Sequence, residues 1–248
     1  MKKGVLYRWI LLFVFVAVWI WAAINPLYAD GWLLENLLVF VFVPLILLSA
    51  WYFKLSNVSY TLLTIFMCLH VIGSHYTYAE VPFGYILQNW FNADRNMYDR
   101  LVHFSFGFLL AYPIREVFMR VSKARGFWAF WFPVELTLAF SAIYEIIEWI
   151  TALGVDPSAG LAFLGAQGDV WDAQKDMLLA GIGSVIAMVV TAFIRLHYDR
   201  NFWKDFKDSF KISQNDSPLG EEAIDNGRVL PFSGSSTSSS IIMYCPGL

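Results

Sequence analysis

Six apolar stretches, each long enough to cross a bilayer as a helix, limit what this chain can be. They run over residues 8–24, 33–53, 58–76, 99–119, 127–150 and 172–196, and a spanning helix needs about 20 mostly apolar residues. Hydrocarbon offers the backbone no water to bond, so such runs satisfy their own amides as helices. The prediction is an all-α integral membrane protein: a six-transmembrane-helix bundle over residues 1–200 whose short connections force antiparallel neighbours. Composition agrees, with 58% hydrophobic residues, 15% charged residues and a mean hydropathy of +0.55, outside the range of soluble domains. Eleven Trp, twelve Tyr and twenty-two Phe suit aromatic belts and lipid-facing surfaces. The first run follows Lys2 and Lys3 as a signal peptide would, but it is long and lacks a small-residue cleavage site, so it is expected to stay as the first span. Cys68 and Cys245 stand in different settings, and no disulfide is expected.

Topology follows from where Lys and Arg fall, because membrane insertion responds to their location rather than to net charge. Lys2, Lys3 and Arg8, then Lys54, then Arg115, Arg120, Lys123 and Arg125, then Arg195, Arg200, Lys204, Lys207 and Lys211 all share one side. The other side receives Arg95, Arg100 and Lys175. Both termini are therefore expected to be cytoplasmic, with loops 25–32, 77–98 and 151–171 extracytoplasmic. This distribution accounts for the basic residues without nucleic acid. Residues 201–212 read as a basic amphipathic juxtamembrane segment suited to the anionic inner leaflet, or as a frayed helix end carrying ordinary topological charge. Residues 213–248 are polar, Ser-rich and without a helical period, and are expected to be a disordered cytoplasmic tail.

The fourth span enters the membrane awkwardly, as "YDRLVHFSFGFLLAYPIRE", with Asp99, Arg100 and His103 near its outer end. Asp99 and His103 are four apart and share a helix face. The fifth span ends in "YEIIEWI", with Glu145 and Glu148 three apart, and the sixth begins "GDVWDAQKDMLLAGIGS", with Asp169, Asp172 and Asp176 down one side and Lys175 rotated away. His75 closes the third span, with His70 deeper. The outer side from Glu80 onward holds Glu80, Asp94, Asp99, Glu145, Glu148, Asp156, Asp169, Asp172 and Asp176 against Arg95, Arg100 and Lys175, nine acids to three cations. Carboxylates brought together cannot all stay ionised uncompensated. A divalent metal, bound protons or the three local cations would serve. Carboxylate plus imidazole suits zinc, iron or manganese, and the candidate ligands are Asp99, His103, Glu145, Glu148 and Asp172 or Asp176, with His75 as an additional candidate. The structural alternative is a packing network with Arg100 on Glu145 or Glu148 and Lys175 on Asp99.

Other features carry less. Glu135 in the fifth span suits a proton path or simple snorkelling. His70 and His197 read as bystanders. Ala180, Gly181, Gly183, Ser184 and Ala187 permit close helix approach. The aromatic loop "HYTYAEVPFGYILQNWFNADRN" would cap the acidic cluster or lie on the outer leaflet.

The segments "HYTYAEVPFG", "YDRLVHFSFGFLLAYPIRE", "YEIIEWI" and "GDVWDAQKDMLLAGIGS", in that order, resemble the YjdF-like bacterial inner-membrane proteins over residues 5 to 200. That resemblance implies location and fold but no activity. More loosely, Asp99 with His103, an acid-bearing helix, and Asp172 or Asp176 are similar to elements of the VanZ-like membrane proteins, a family associated with glycopeptide resistance.

Three functions fit. One is a membrane metalloenzyme acting on a lipid or lipid-linked substrate, as a hydrolase or transferase, with Glu148 or Asp176 as general base and Lys175 or Arg100 binding an anion. A second is a proton- or cation-coupled transporter, which calls for polar residues through the whole thickness. The third is a noncatalytic membrane interaction partner.

Overall fold

The computed structural model describes residues 3–155 and 157–211. Nine helices lie among them: α1 (Lys3–Ala23), α2 (Ala29–Tyr52), α3 (Asn57–His75), α4 (Pro82–Phe91), α5 (Tyr98–Ser122), α6 (Trp128–Leu153), α7 (Pro157–Leu164), α8 (Asp172–Tyr198) and α9 (Phe202–Asp208). Six of them, α1, α2, α3, α5, α6 and α8, are long and apolar enough to cross a membrane. Among the six expected spans the largest difference in bounds is at α1, which already starts at Lys3. Lys2, Asp156 and the expected disordered tail at 213–248 lie outside the described residues.

α5 is the central helix. Half of its most apolar stretch is buried, against about a tenth in α1 and α6, and it packs on α3, α6 and α8. Its crossing with α8 is close because two glycines meet there. A Cβ at Gly107 would run into the carbonyl of Ala180, and one at Gly183 into the carbonyl of Phe104. Small residues of this kind let helix backbones approach in lipid, where no hydrophobic effect drives association. Asn36, fully buried, ties three helices together: its Oδ1 accepts from Trp19 Nε1 at 2.7 Å, and its Nδ2 donates to Trp32 O at 2.7 Å and Ser74 Oγ at 3.3 Å.

The two ends of the bundle differ. At one end Ser56 caps α3, and Glu116 of α5 accepts from the Ser56 amide at 2.9 and 3.0 Å and from Ser59 Oγ at 2.5 Å. This satisfies amides left open at a helix start. α9 docks at the same end through its aromatic residues. Phe127 packs against Phe206 and Phe210, Trp128 Nε1 donates to Ser209 O at 2.9 Å, and Gly126 takes φ +59° where the turn presses on α9. Phe202 and Phe206 of the basic segment thus lie against the protein, while Phe210 touches Phe127 and stays half exposed. The opposite end is built from the expected loops 77–98 and 151–171, which contain α4 and α7. α4 begins with Pro at its first turn, ends on left-handed Asn92, and exposes Phe83, Tyr85, Ile86, Trp90 and Phe91. That is the surface of a helix lying at a membrane interface.

Candidate functional site

Beneath α4, four helix ends converge. α5 supplies Asp99, Arg100 and His103, α6 supplies Tyr144, Glu145 and Glu148, α8 supplies Asp172 and Asp176, and α2 supplies Glu35. Asp99 and His103 lie on one face as their spacing required, with His103 Nε2 3.5 Å from Asp99 Oδ1. His103 Nδ1 turns to Glu145 Oε1, 3.7 Å away. This is an electrostatic contact, longer than a hydrogen bond.

The arginines take a different set of acids from the one expected. Arg100 pairs with Asp169 Oδ2 at 3.0 Å, with Asp172 Oδ1 at 2.6 Å and, through Nη1, with Asp176 Oδ2, and it also donates to the Asp172 carbonyl at 3.0 Å. It makes no pair with Glu145 or Glu148. Arg100 and the aspartates of the α8 start meet across the tight α5–α8 crossing, whereas the α6 acids lie on the other side of His103. Lys175, expected on Asp99, instead holds Asp169 at 2.7 Å and is half exposed. Its rotation away from Asp176 on α8 points it outward.

Arg95 closes this end of the bundle. It pairs with Asp172 and, at 3.3 Å, with Asp99, and donates to the carbonyls of Gly165 at 3.0 Å and Ala166 at 3.3 Å. Next to it, buried Asn96 exchanges hydrogen bonds with Gln167, reaches Val81 O through Nδ2 and accepts from the Tyr98 amide. The end of the aromatic loop therefore covers the cluster through Arg95 and Asn96, while α4 leaves its aromatic residues exposed.

Once these pairs are formed, a distinct set of buried groups remains. Asp176 Oδ1, Glu145 Oε1 and Glu35 Oε2 are buried with no hydrogen-bond partner. One ligand-capable atom from each of Asp99, His103 and Asp176 lies within 4.8 Å of the others. Asp172 is engaged by two arginines and stands outside this group; Asp176 takes its place beside Asp99 and His103. Tyr144 is in electrostatic contact with both Glu35 and Glu148.

His70 adjoins the cluster as a fixed support. Its Nε2 faces the Glu35 carbonyl at 3.1 Å, which only accepts, so Nε2 carries the proton and Nδ1 accepts from Tyr78 OH at 2.5 Å. Both ring nitrogens are used. His75 belongs to another contact, with Nδ1 on Ala22 O at 3.0 Å and its ring stacked on Trp21 at 4.7 Å. Glu135, near the opposite end, accepts from Trp131 Nε1 at 2.6 Å. Sequence reading passed over Glu35 and Tyr144. The signals were available: a carboxylate inside the apolar run of α2, and a tyrosine four residues before Glu148 on one helix face.

Residues 7–197 match the family described as "Predicted membrane protein (DUF2238)". The chain belongs to this family. It is 38% identical over 172 residues to the inner membrane protein YjdF of Escherichia coli strain K12, an alignment covering 69% of this chain and 82% of that protein. No solved structure matches it. With six apolar helices long enough to span, the chain is a multi-pass inner-membrane protein of the YjdF type.

Proposed function

We propose that the cluster binds a divalent transition metal and that the protein is a membrane enzyme acting on a lipid or lipid-linked substrate. The observation that carries this is the unpartnered, buried oxygen Asp176 Oδ1 beside Asp99 and His103. A separation of 4.8 Å is within a small side-chain adjustment of the roughly 3–4 Å between ligands around one ion with bonds near 2.0–2.2 Å. Two carboxylates with an imidazole favour zinc, iron or manganese over magnesium or calcium. Glu145 is the fourth candidate ligand. The metal would polarise a phosphoryl or acyl oxygen or activate water. Glu148, associated with Tyr144, is then the candidate general base. Arg100 is engaged by three aspartates, which leaves Lys175 at the rim for an anionic substrate group.

Charge supports this reading. Around the site stand Glu35, Asp99, Glu145, Glu148, Asp169, Asp172 and Asp176, against Arg95, Arg100, Lys175 and His103. A packing network with no other purpose would leave fewer buried carboxylate oxygens without donors. By the distribution of Lys and Arg this end faces away from the cytoplasm, opposite both termini.

A transporter is the second reading, and Ser141 favours it: its hydroxyl is buried and unpartnered one turn below Glu145. Further along, however, Thr137 and Ser184 bond carbonyls of their own helices, at 2.7 and 2.8 Å, and offer no continuous path.

Elemental analysis of purified protein, with Asp99→Ala, His103→Ala and Asp176→Ala, tests the proposal. Near-stoichiometric metal that each variant loses while still folding is the expected result. Metal-free protein that also takes up no added zinc, iron or manganese, and whose three variants fold unchanged, refutes it.

A further inference from the structure

Arg115 lies on α5 toward the end of the bundle opposite the carboxylate cluster. It is only 6% exposed, and its Nε and Nη2 are buried without a hydrogen-bond partner. The guanidinium sits over the Phe130 ring, 4.5 Å from its centroid. An aromatic face attracts the charge but accepts none of these N–H bonds.

The acids on the neighbouring elements are engaged elsewhere. Glu116, one residue on and turned to another face of α5, serves Ser56, Ser59 and Arg120. Asp199 holds Arg195 at 2.5 Å, and Glu135 holds Trp131. The charged side chain whose field acts most on Arg115 is again a cation, Arg195 of α8. Among the described residues, the buried Nε and Nη2 of Arg115 thus meet no carboxylate. A buried cation is retained at a cost unless it is paired, and the field of a second cation adds to that cost.

We propose that Arg115 anchors a binding site for a phosphate group. The planar fork of a guanidinium matches phosphate geometry and gives strong, charge-assisted hydrogen bonds. An apolar cluster of Ala111, Val134, Ala187 and Met188, with Phe130 packed on it, adjoins the site. That setting favours a phosphate presented at the membrane surface by an apolar tail. The proposal stands on different residues from the metal site and does not depend on it.

The test uses the full chain purified in a maltoside detergent, which contributes no phosphate. It is titrated in parallel with dioctanoyl phosphatidic acid, with inorganic phosphate and with dioctanoyl glycerol, and read by thermal midpoint and by native mass spectrometry. Phosphatidic acid is expected to form a saturable one-to-one adduct. Arg115→Gln should weaken it by about tenfold or more, the loss of a charge-assisted contact, and Arg195→Gln by less; the glycerol control should not bind. Stabilisation by inorganic phosphate equal to that by the lipid would support the site and assign it to the free anion. Equal binding of phosphatidic acid by wild type and Arg115→Gln, or equal stabilisation by the glycerol control, overturns the proposal. If Arg115→Gln does not fold, Arg115→Lys, which keeps the charge and loses the fork, and Arg195→Gln carry the same expectation of weakened binding.

Discussion

Arg100 and Asp176 form an ion pair between α5 and α8 in which one carboxylate oxygen of Asp176 is held and the other, Oδ1, meets no donor. The pair does two jobs at once. It fastens the two most intimately packed helices, and it fixes Asp176 beside Asp99 and His103. Removing the cation alone would leave Asp169, Asp172 and Asp176 without their shared partner. Breaking one side of a buried pair costs about 3–5 kcal/mol. Arg100→Met is therefore expected to lower the thermal midpoint in detergent by on the order of 10 °C, at about 2–4 °C per kcal/mol for a chain of this size. A midpoint within 2–3 °C of wild type, roughly the effect of a single kcal/mol, would count against it.

Asp172 and Asp176 lie one turn apart on α8 and share Arg100, but their other contacts differ, and the difference separates stability from metal binding. Asp172 holds Arg95 and Arg100; Asp176 joins Asp99 and His103. On the proposed metal site, Asp172→Asn should therefore melt earlier yet retain bound metal, while Asp176→Asn should lose it. Metal content and melting measured on the same two preparations decide this. Loss of metal from Asp172→Asn with retention in Asp176→Asn would reverse the assignment.

Much of this was legible in the sequence because lipid leaves so few choices. A run such as 33–53 has to be a helix, and α2 is one, although it starts earlier at Ala29, with Asp30 in its first turn, where an acid favours the helix dipole. The convergence of Asp99, His103, Glu145 and Asp176 was readable from their common depth at helix ends. Their pairing was not. Spacing places Asp172 and Asp176 on the same helix face, and only the packing of α5 on α8 decides that Arg100 takes both while Arg95 takes Asp172. Arg95 lay in a loop, and nothing local indicated that it would reach both Asp99 and Asp172. His75 pointed to the cluster by depth alone, but the packing of α1 on α3 claims it. Glu35 is a different case, since an acid within an apolar run is itself the signal.

The glycine crossing gives a prediction about folding. A side chain at Gly107 or Gly183 has backbone rather than a movable side chain in its way. Gly107→Leu and Gly183→Leu should each push α5 and α8 apart and cost at least about 1–3 kcal/mol, the usual penalty of overpacking. Because the same crossing aligns Arg100 with Asp176, both variants should lose metal as well as stability. Gly154, where an added Cβ meets only ordinary contacts, serves as the control: Gly154→Ala should behave as wild type by melting and by size-exclusion profile.

Asp169, just before α8, gives a prediction about pH. The hydrogen bond from Lys175, then that from the Trp171 amide, hold its carboxyl below the ordinary aspartate value. A depressed folded value means that the contribution to stability is present above the unfolded value and is lost as pH falls through the folded one. Lys175→Met removes the largest cause, so Asp169 should titrate at higher pH in the variant. Carbon-13 spectra of aspartate-labelled protein in detergent measure the shift directly. An unchanged titration would show that Lys175 does not hold this carboxylate in solution.

Tyr78 and His70 give the last. Tyr78 is buried, and burial pushes its phenol well above the ordinary range, so it stays protonated and able to donate. The acceptor is His70 Nδ1, fixed by the Nε2 contact to the Glu35 carbonyl. The ring of Tyr78 fits only because residue 73 is glycine, where a Cβ would lie 2.6 Å from it. Tyr78→Phe keeps that packing and removes one donor, leaving a buried nitrogen unsatisfied at a cost of about 1–3 kcal/mol. Since His70 holds the backbone of α2 at Glu35, the loosening should appear as faster amide exchange around residues 35 and 70 while the metal content stays unchanged. Exchange confined to the 76–81 turn would mean that His70 anchors α2 without help from Tyr78.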